Sequence, residues 1–145
     1  MAVPYLACMA LVASLYNLPP RVLPSIQAVE GGNPGTVHRN PDGTDDLGVM
    51  QINARWIPAF VAFTGLPADA VRERLIARPC FNIAAAGAIL RTYLDEADGD
   101  LMRAVGFYHS HTGPLSDRYR TLVIASAVRM FGVQRRTTFA QTSGR

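Results

Sequence analysis

No stretch of this chain approaches the roughly 18 to 20 consecutive apolar residues that a membrane span requires, so no integral membrane segment is expected. Cysteine is scarce: Cys8 and Cys80 alone cannot build a disulfide-dense scaffold, and the residues leave open a bridge or two buried thiols. The apolar opening MAVPYLACMALVASLYNLPP has no Lys or Arg ahead of it, and Pro4 stands where the charged region of a secretory signal belongs. Leu6, Met9 (or Ala10), Ala13 and Tyr16 recur there at helical spacing, and Pro19-Pro20 close the segment, which predicts a first helix. There is no internal repeat, no low-complexity tract, no phosphate-cradling glycine loop and no Ser-His-Asp pattern. The net charge is only +3 and the arginines are scattered, which argues against a nucleic-acid stripe. His109 and His111 are spaced i, i+2, off a common helical face, with no third ligand beside them, so no metal and no cofactor are expected.

What is present is enough apolar sequence, 49% of 145 residues, for one domain with one core. Pro20 or Pro24 can open a second helix, which ends at Glu30. Asn33-Pro34-Gly35 and Asn40-Pro41-Asp42-Gly43 flank a β-prone piece around Thr36 to His38, a small hairpin in which Asp42, Asp45 and Asp46 suit turns. A short helix with Pro58 in its first turn and Gly65 as its stop follows, with Trp56 expected in the core. A helix carrying Val71, Leu75 and Ile76 is broken by Pro79. Asn82 to Asp98 is the most hydrophobic helix, with Ile83, Ala86, Gly87, Leu90, Tyr93, Leu94 and Ala97 in one stripe whose small members admit a close neighbour. Asp100 caps LMRAVGFYHSH, Thr112-Gly113-Pro114 ends that segment, Ser116 caps a last helix and Gly132 stops it. The expected division is a domain over 1–133 and a polar, mobile tail over 134–145.

Chemistry concentrates between Ile26 and Trp56. Ile26 and Val29, with Ala28, suit a buried helical face, which places Glu30 on a last turn that Gly31 or Gly32 would stop. The negative end of a helix and apolar neighbours both disfavour an ionised carboxylate. A glutamic acid held protonated near neutral pH is what a general acid needs to protonate a poor leaving group such as a glycosidic oxygen.

Glu30-Gly31, then Gly48-Val49-Met50-Gln51-Ile52-Asn53, then Tyr108-His109-Ser110 together resemble the soluble lytic transglycosylases, which share their catalytic domain with goose-type lysozyme. The family pattern is a Glu-Ser at a helix end, a Gly-Leu-Met-Gln-Ile block and a Tyr-Asn-Ala-Gly block. The chain departs from it at Gly31 and at His109-Ser110, and the likeness spans about Cys8 to Phe131. It is most similar to the small single-domain branch that accompanies secretion and conjugation machines.

The resemblance implies an α+β, mainly helical, lysozyme-like domain of about seven helices with a small hairpin as one wall of a cleft. It implies Glu30 as catalytic acid and Gln51, Met50, Asn53, Tyr108 and His109 as substrate-binding positions. Gln51 would lie on the cleft floor, Met50 and Ile52 turning towards packing, and the Tyr108 hydroxyl would meet Glu30 or the sugar. The family's paired cysteines imply a Cys8–Cys80 bond, hence a periplasmic protein exported by a signal that this sequence does not include. The implied activity is lytic cleavage of the MurNAc–GlcNAc β-1,4 bond of peptidoglycan with a 1,6-anhydro product, opening the wall for a secretion or conjugation apparatus. The competing readings are a hydrolytic muramidase, in which Asp45 or Asp46 positions water, and a non-catalytic glycan-binding or docking module.

Overall fold

The most apolar helix expected from the sequence is the axis of the fold. A computed structural model describes residues 3–132, which form a small sheet and seven α-helices. In chain order they are α1 (Leu6–Leu15), α2 (Val22–Glu30), α3 (Ile57–Thr64), α4 (Ala68–Ala77), α5 (Pro79–Glu96), α6 (Leu101–His109) and α7 (Gly113–Ala127). The strands β1 (Val37–Arg39), β2 (Asp45–Leu47) and β3 (Ile52–Asn53) lie between α2 and α3, and the expected tail over 134–145 lies outside the described residues. None of the described helices is long and apolar enough to cross a membrane.

Ile83, Ala86, Leu90, Tyr93 and Leu94 of α5 are all buried, as their stripe requires. Gly87 admits α1: a Cβ there would stand 2.3 Å from Val12 Cγ1, so any side chain would push the two helices apart. Cys8 and Cys80 are bonded, their Cα atoms 5.5 Å apart, which ties α1 to the first turn of α5. The inner face of α1 is Met9, Val12 and Ala13; Leu6, expected inside, is exposed at the first position of the helix.

Three boundaries differ from the sequence expectation, two of them through proline. Pro79 opens α5 at its first position instead of breaking the chain before Asn82, because a first-turn residue has no intrahelical N–H bond to lose. Likewise α7 starts at Gly113 with Pro114 in its first turn, so Ser116 is a buried helical residue and not the cap. The hairpin is in fact part of a three-stranded antiparallel sheet in the order β1-β2-β3. Val37 pairs Leu47 and Arg39 pairs Asp45, while Asp46 pairs Asn53 and Leu47 pairs Ile52. A two-residue strand carries too little periodicity to be read from sequence.

This sheet positions one wall of the cleft. In β2, Asp45 and Leu47 are buried and Asp46 alternates to the other face, opposite Asn53. Asp45 is held by Arg39 and by Arg72 of α4 at 2.8 Å, and the bonds from those arginines keep its carboxyl below the usual range. The opposite wall comes from α6 and α7, which pack closely because Gly106 has no side chain: a Cβ there would lie 2.0 Å from Ser116 Oγ.

Candidate active site

α2 ends as its sequence dictates. Gly31 adopts φ 67°, the left-handed conformation that glycine reaches without strain, and its N–H closes the helix on the Gln27 carbonyl at 2.8 Å. Glu30 is therefore the last helical residue and points into a cleft of about 390 Å³ also lined by Asp46, Gln51, Asn53 and Trp56.

Three groups act on the Glu30 carboxyl. Burial is the largest and raises its pKa, the Tyr119 hydroxyl opposes by donating to Oε1 at 2.7 Å, and the Asp46 charge adds a smaller rise. The balance pushes it up to about 7. Burial first and Glu30 second push the Tyr119 phenol far above its ordinary range, so it remains a donor at any working pH. With Oε1 occupied by that donor, the proton of the neutral acid resides on Oε2.

Tyr119 has no place in the sequence reading. It lies beyond the last recognised motif, on a helix for which the sequence offers only a start and a stop, and only the pairing of α2 with α7 brings it to Glu30. Its ring is the centre of a stack, parallel to Tyr108 at 6.4 Å between centroids and to His109 at 4.9 Å. His109 is exposed and lines the cleft, while also covering the ring that holds Glu30.

The cleft floor is the tight turn from Gly48 to Gln51. Gly48 sits at φ 69°, and a Cβ there would meet the Leu75 carbonyl at 2.2 Å. Asn82, fully buried, clamps the turn: its Oδ1 accepts from Met50 N–H, and its Nδ2 donates to the Leu47 and Leu75 carbonyls, all at 2.8 Å. Gln51 takes φ 54° and lines the cleft, its Nε2 donating to the Gly48 carbonyl at 2.9 Å. Asn53 donates to Asp46 at 3.1 Å and to Thr44 at 2.9 Å, which ties β3 to β2 and to the hairpin turn.

Two expected contacts are placed differently. Met50, a substrate-binding candidate, is fully buried, because the turn that Asn82 holds by the Met50 N–H packs this side chain into the core. Tyr108 donates to the Met50 carbonyl at 2.9 Å, not to Glu30, so its hydroxyl braces the floor. Trp56, expected in the core, is half-buried: one edge meets Tyr93 at 5.8 Å and the residue also lines the cleft. His111 stacks on Phe107 at 4.2 Å and meets Glu96 at 2.9 Å, away from His109, and among the described residues no three His, Cys, Asp or Glu gather as metal ligands do.

Two comparisons with known proteins bear on this arrangement. Protein IpgF of Shigella sonnei is 30% identical over 122 residues, covering 81% of this chain and 76% of that protein. Protein IpgF of Shigella flexneri is 31% identical over 106 residues, covering 72% of this chain and 66% of that protein. The transglycosylase SLT domain family matches residues 8–121, a span that runs from the cysteine of α1 through Glu30, the Gly48–Gln51 turn and Tyr119. With most of the fold and the whole Glu30 cleft inside that match, the chain belongs to the transglycosylase SLT family and is a peptidoglycan lytic transglycosylase.

Proposed function

We propose that Glu30 alone performs both proton transfers of a water-free cleavage of the β-1,4 bond between N-acetylmuramic acid and N-acetylglucosamine. The acid gives its Oε2 proton to the glycosidic oxygen as the bond to C1 breaks. The carboxylate left behind then accepts the proton of the C6 hydroxyl of the same muramic acid, whose oxygen closes on C1. The product is a 1,6-anhydro sugar, and Glu30 returns to the acid it started as. The substrate's own N-acetyl group stabilises the positive charge developing at C1, so the chain needs no nucleophile. Gln51, Asn53 and His109 are the proposed sugar contacts, with the Trp56 ring as an apolar platform.

The observation that carries this reading is a single carboxyl, Glu30, kept half-protonated near pH 7 by burial and oriented by Tyr119. Glu30→Gln keeps the shape and cannot transfer the proton, so it should abolish anhydro products while still binding glycan. Mass spectrometry of sugars released from purified peptidoglycan reads the outcome, and substantial anhydro release by Glu30→Gln would sink the mechanism.

Asp46 favours a second reading. It lines the cleft close enough to affect Glu30, whereas Asp45 is committed to two arginines, so a hydrolytic route would place its water on Asp46. Muramic acid with a free reducing end, from the same mass spectra, would support that route. The proposed setting is the periplasm, where a Cys8–Cys80 bond persists, and the proposed role is local opening of the wall for a secretion or conjugation apparatus. Its support is the likeness to the small, single-domain branch.

A further inference from the structure

Arg55 lies on the 3₁₀ turn Ala54–Trp56 that leads from β3 into α3. It is exposed, and it lines the cleft. Its backbone is fixed: Asn53 Oδ1 accepts the Arg55 N–H at 3.0 Å, and Asn53 is anchored in turn to Thr44 and Asp46. Among the described residues its guanidinium forms no ion pair; its charge reaches Asp42, and the Tyr93 hydroxyl lies within its hydrogen-bonding reach. Beside it, Trp56 turns towards the same space with its edge against Tyr93.

Apart from the Tyr108 phenol and the imidazole of His109, the other ionisable groups of this lining are the carboxyls of Glu30, Asp42 and Asp46. An acidic cleft repels an anionic polymer, and a peptidoglycan strand is one. Every muramic acid carries a carboxylate on its lactyl substituent where the strand is bare, or on the attached stem peptide where it is not. A guanidinium on a turn fixed by Asn53, next to an aromatic platform and without an ion-pair partner among the described residues, offers that carboxylate two parallel N–H donors.

We propose that Arg55 is the cleft's recognition point for a carboxylate on the muramic acid substituent, so that the enzyme reads the charge on the strand as well as its sugars. The inference rests on peptidoglycan as substrate and is independent of how the bond is cut.

Binding is therefore measured apart from cleavage, in a Glu30→Gln background with and without Arg55→Gln or Arg55→Lys. The probes are soluble strands stripped of peptide, strands bearing peptide, and each of these with its carboxylates converted to amides. Charged strands should bind about tenfold more tightly than amidated ones, the size of one charge-assisted contact. Arg55→Gln should bring the ratio to about one, Arg55→Lys should keep part of it, and added salt should shrink it. Discrimination confined to stripped strands assigns the lactyl carboxylate; discrimination confined to peptide-bearing strands assigns the stem peptide. Equal affinity for charged and amidated strands, or a ratio that survives Arg55→Gln with the melting temperature unchanged, overturns the proposal. Failure of the mechanism itself shows elsewhere, in the products of the unmodified protein.

Discussion

At the scale of the residue, the proposed acid role of Glu30 and the stability of the fold depend on one pKa. Its folded value near 7 lies above the ordinary 4.5, so between those values the folded chain binds a proton that the unfolded chain has released. Stability from this group is greatest below about pH 4.5 and falls as pH rises towards 7, for a total of roughly 3 kcal/mol at 1.36 kcal/mol per unit. Thermal unfolding from pH 4.5 to pH 8 should therefore show Glu30→Gln gaining on the unmodified protein, and parallel curves would contradict the buried-acid account. Activity should share the upper edge, falling above about pH 7 as the acid ionises. Sequence marked the position through Gly31 and the apolar α2, both of which are local. The partner was not marked, since nothing near Glu30 in the chain points to a tyrosine 89 residues away.

At the scale of the element, the cleft depends on short pieces held by distant side chains. β3 is two residues long, and the turn before it includes left-handed Gly48 and Gln51. Asn82, in the first turns of α5, satisfies one N–H and two carbonyls around that turn from within the core. Asn82→Ala would leave all three buried groups without this partner and should cost roughly 3 kcal/mol. Urea unfolding measures the loss, and turnover should fall with it as Gln51 leaves its place in the cleft lining. A loss under about 1 kcal/mol would mean that other groups hold the turn. α5 itself was legible because a long, strongly periodic stripe outweighs any boundary error. Its start was not, because a proline reads equally as an end or an opening.

At the scale of the whole molecule, the Cys8–Cys80 bond closes the chain across 72 residues. The chain-entropy model gives about 4 kcal/mol for a loop of that length. Reduction, or Cys8→Ser with Cys80→Ser, should lower the unfolding free energy by up to that amount. Two alkylated thiols in freshly unfolded, unreduced protein would show that the bond does not form. The bond joins α1 to the first turn of α5, and neither cysteine lines the Glu30 cleft, so its loss should reach activity through the folded fraction rather than through the site. The same architecture brings the ends of α2 and the middle of α7 together, and with them the acid and its donor.

What the sequence by itself determined is whatever depends on neighbours along the chain: the helical stripes, the helix end at Glu30, and the family to which the motifs and their spacing belong. What only the tertiary structure decided is whatever needs two distant segments in contact. That set holds the third strand, the buried Asn82 clamp, the Tyr108 hydroxyl on the Met50 carbonyl, and Tyr119 as the group that orients the acid. Trp56 falls between the two, since its apolar neighbours announce packing while only the placement of the cleft exposes its other side. Local propensity and periodicity act over a few residues, whereas a hydrogen bond between α2 and α7 exists only after the core has fixed both helices in space.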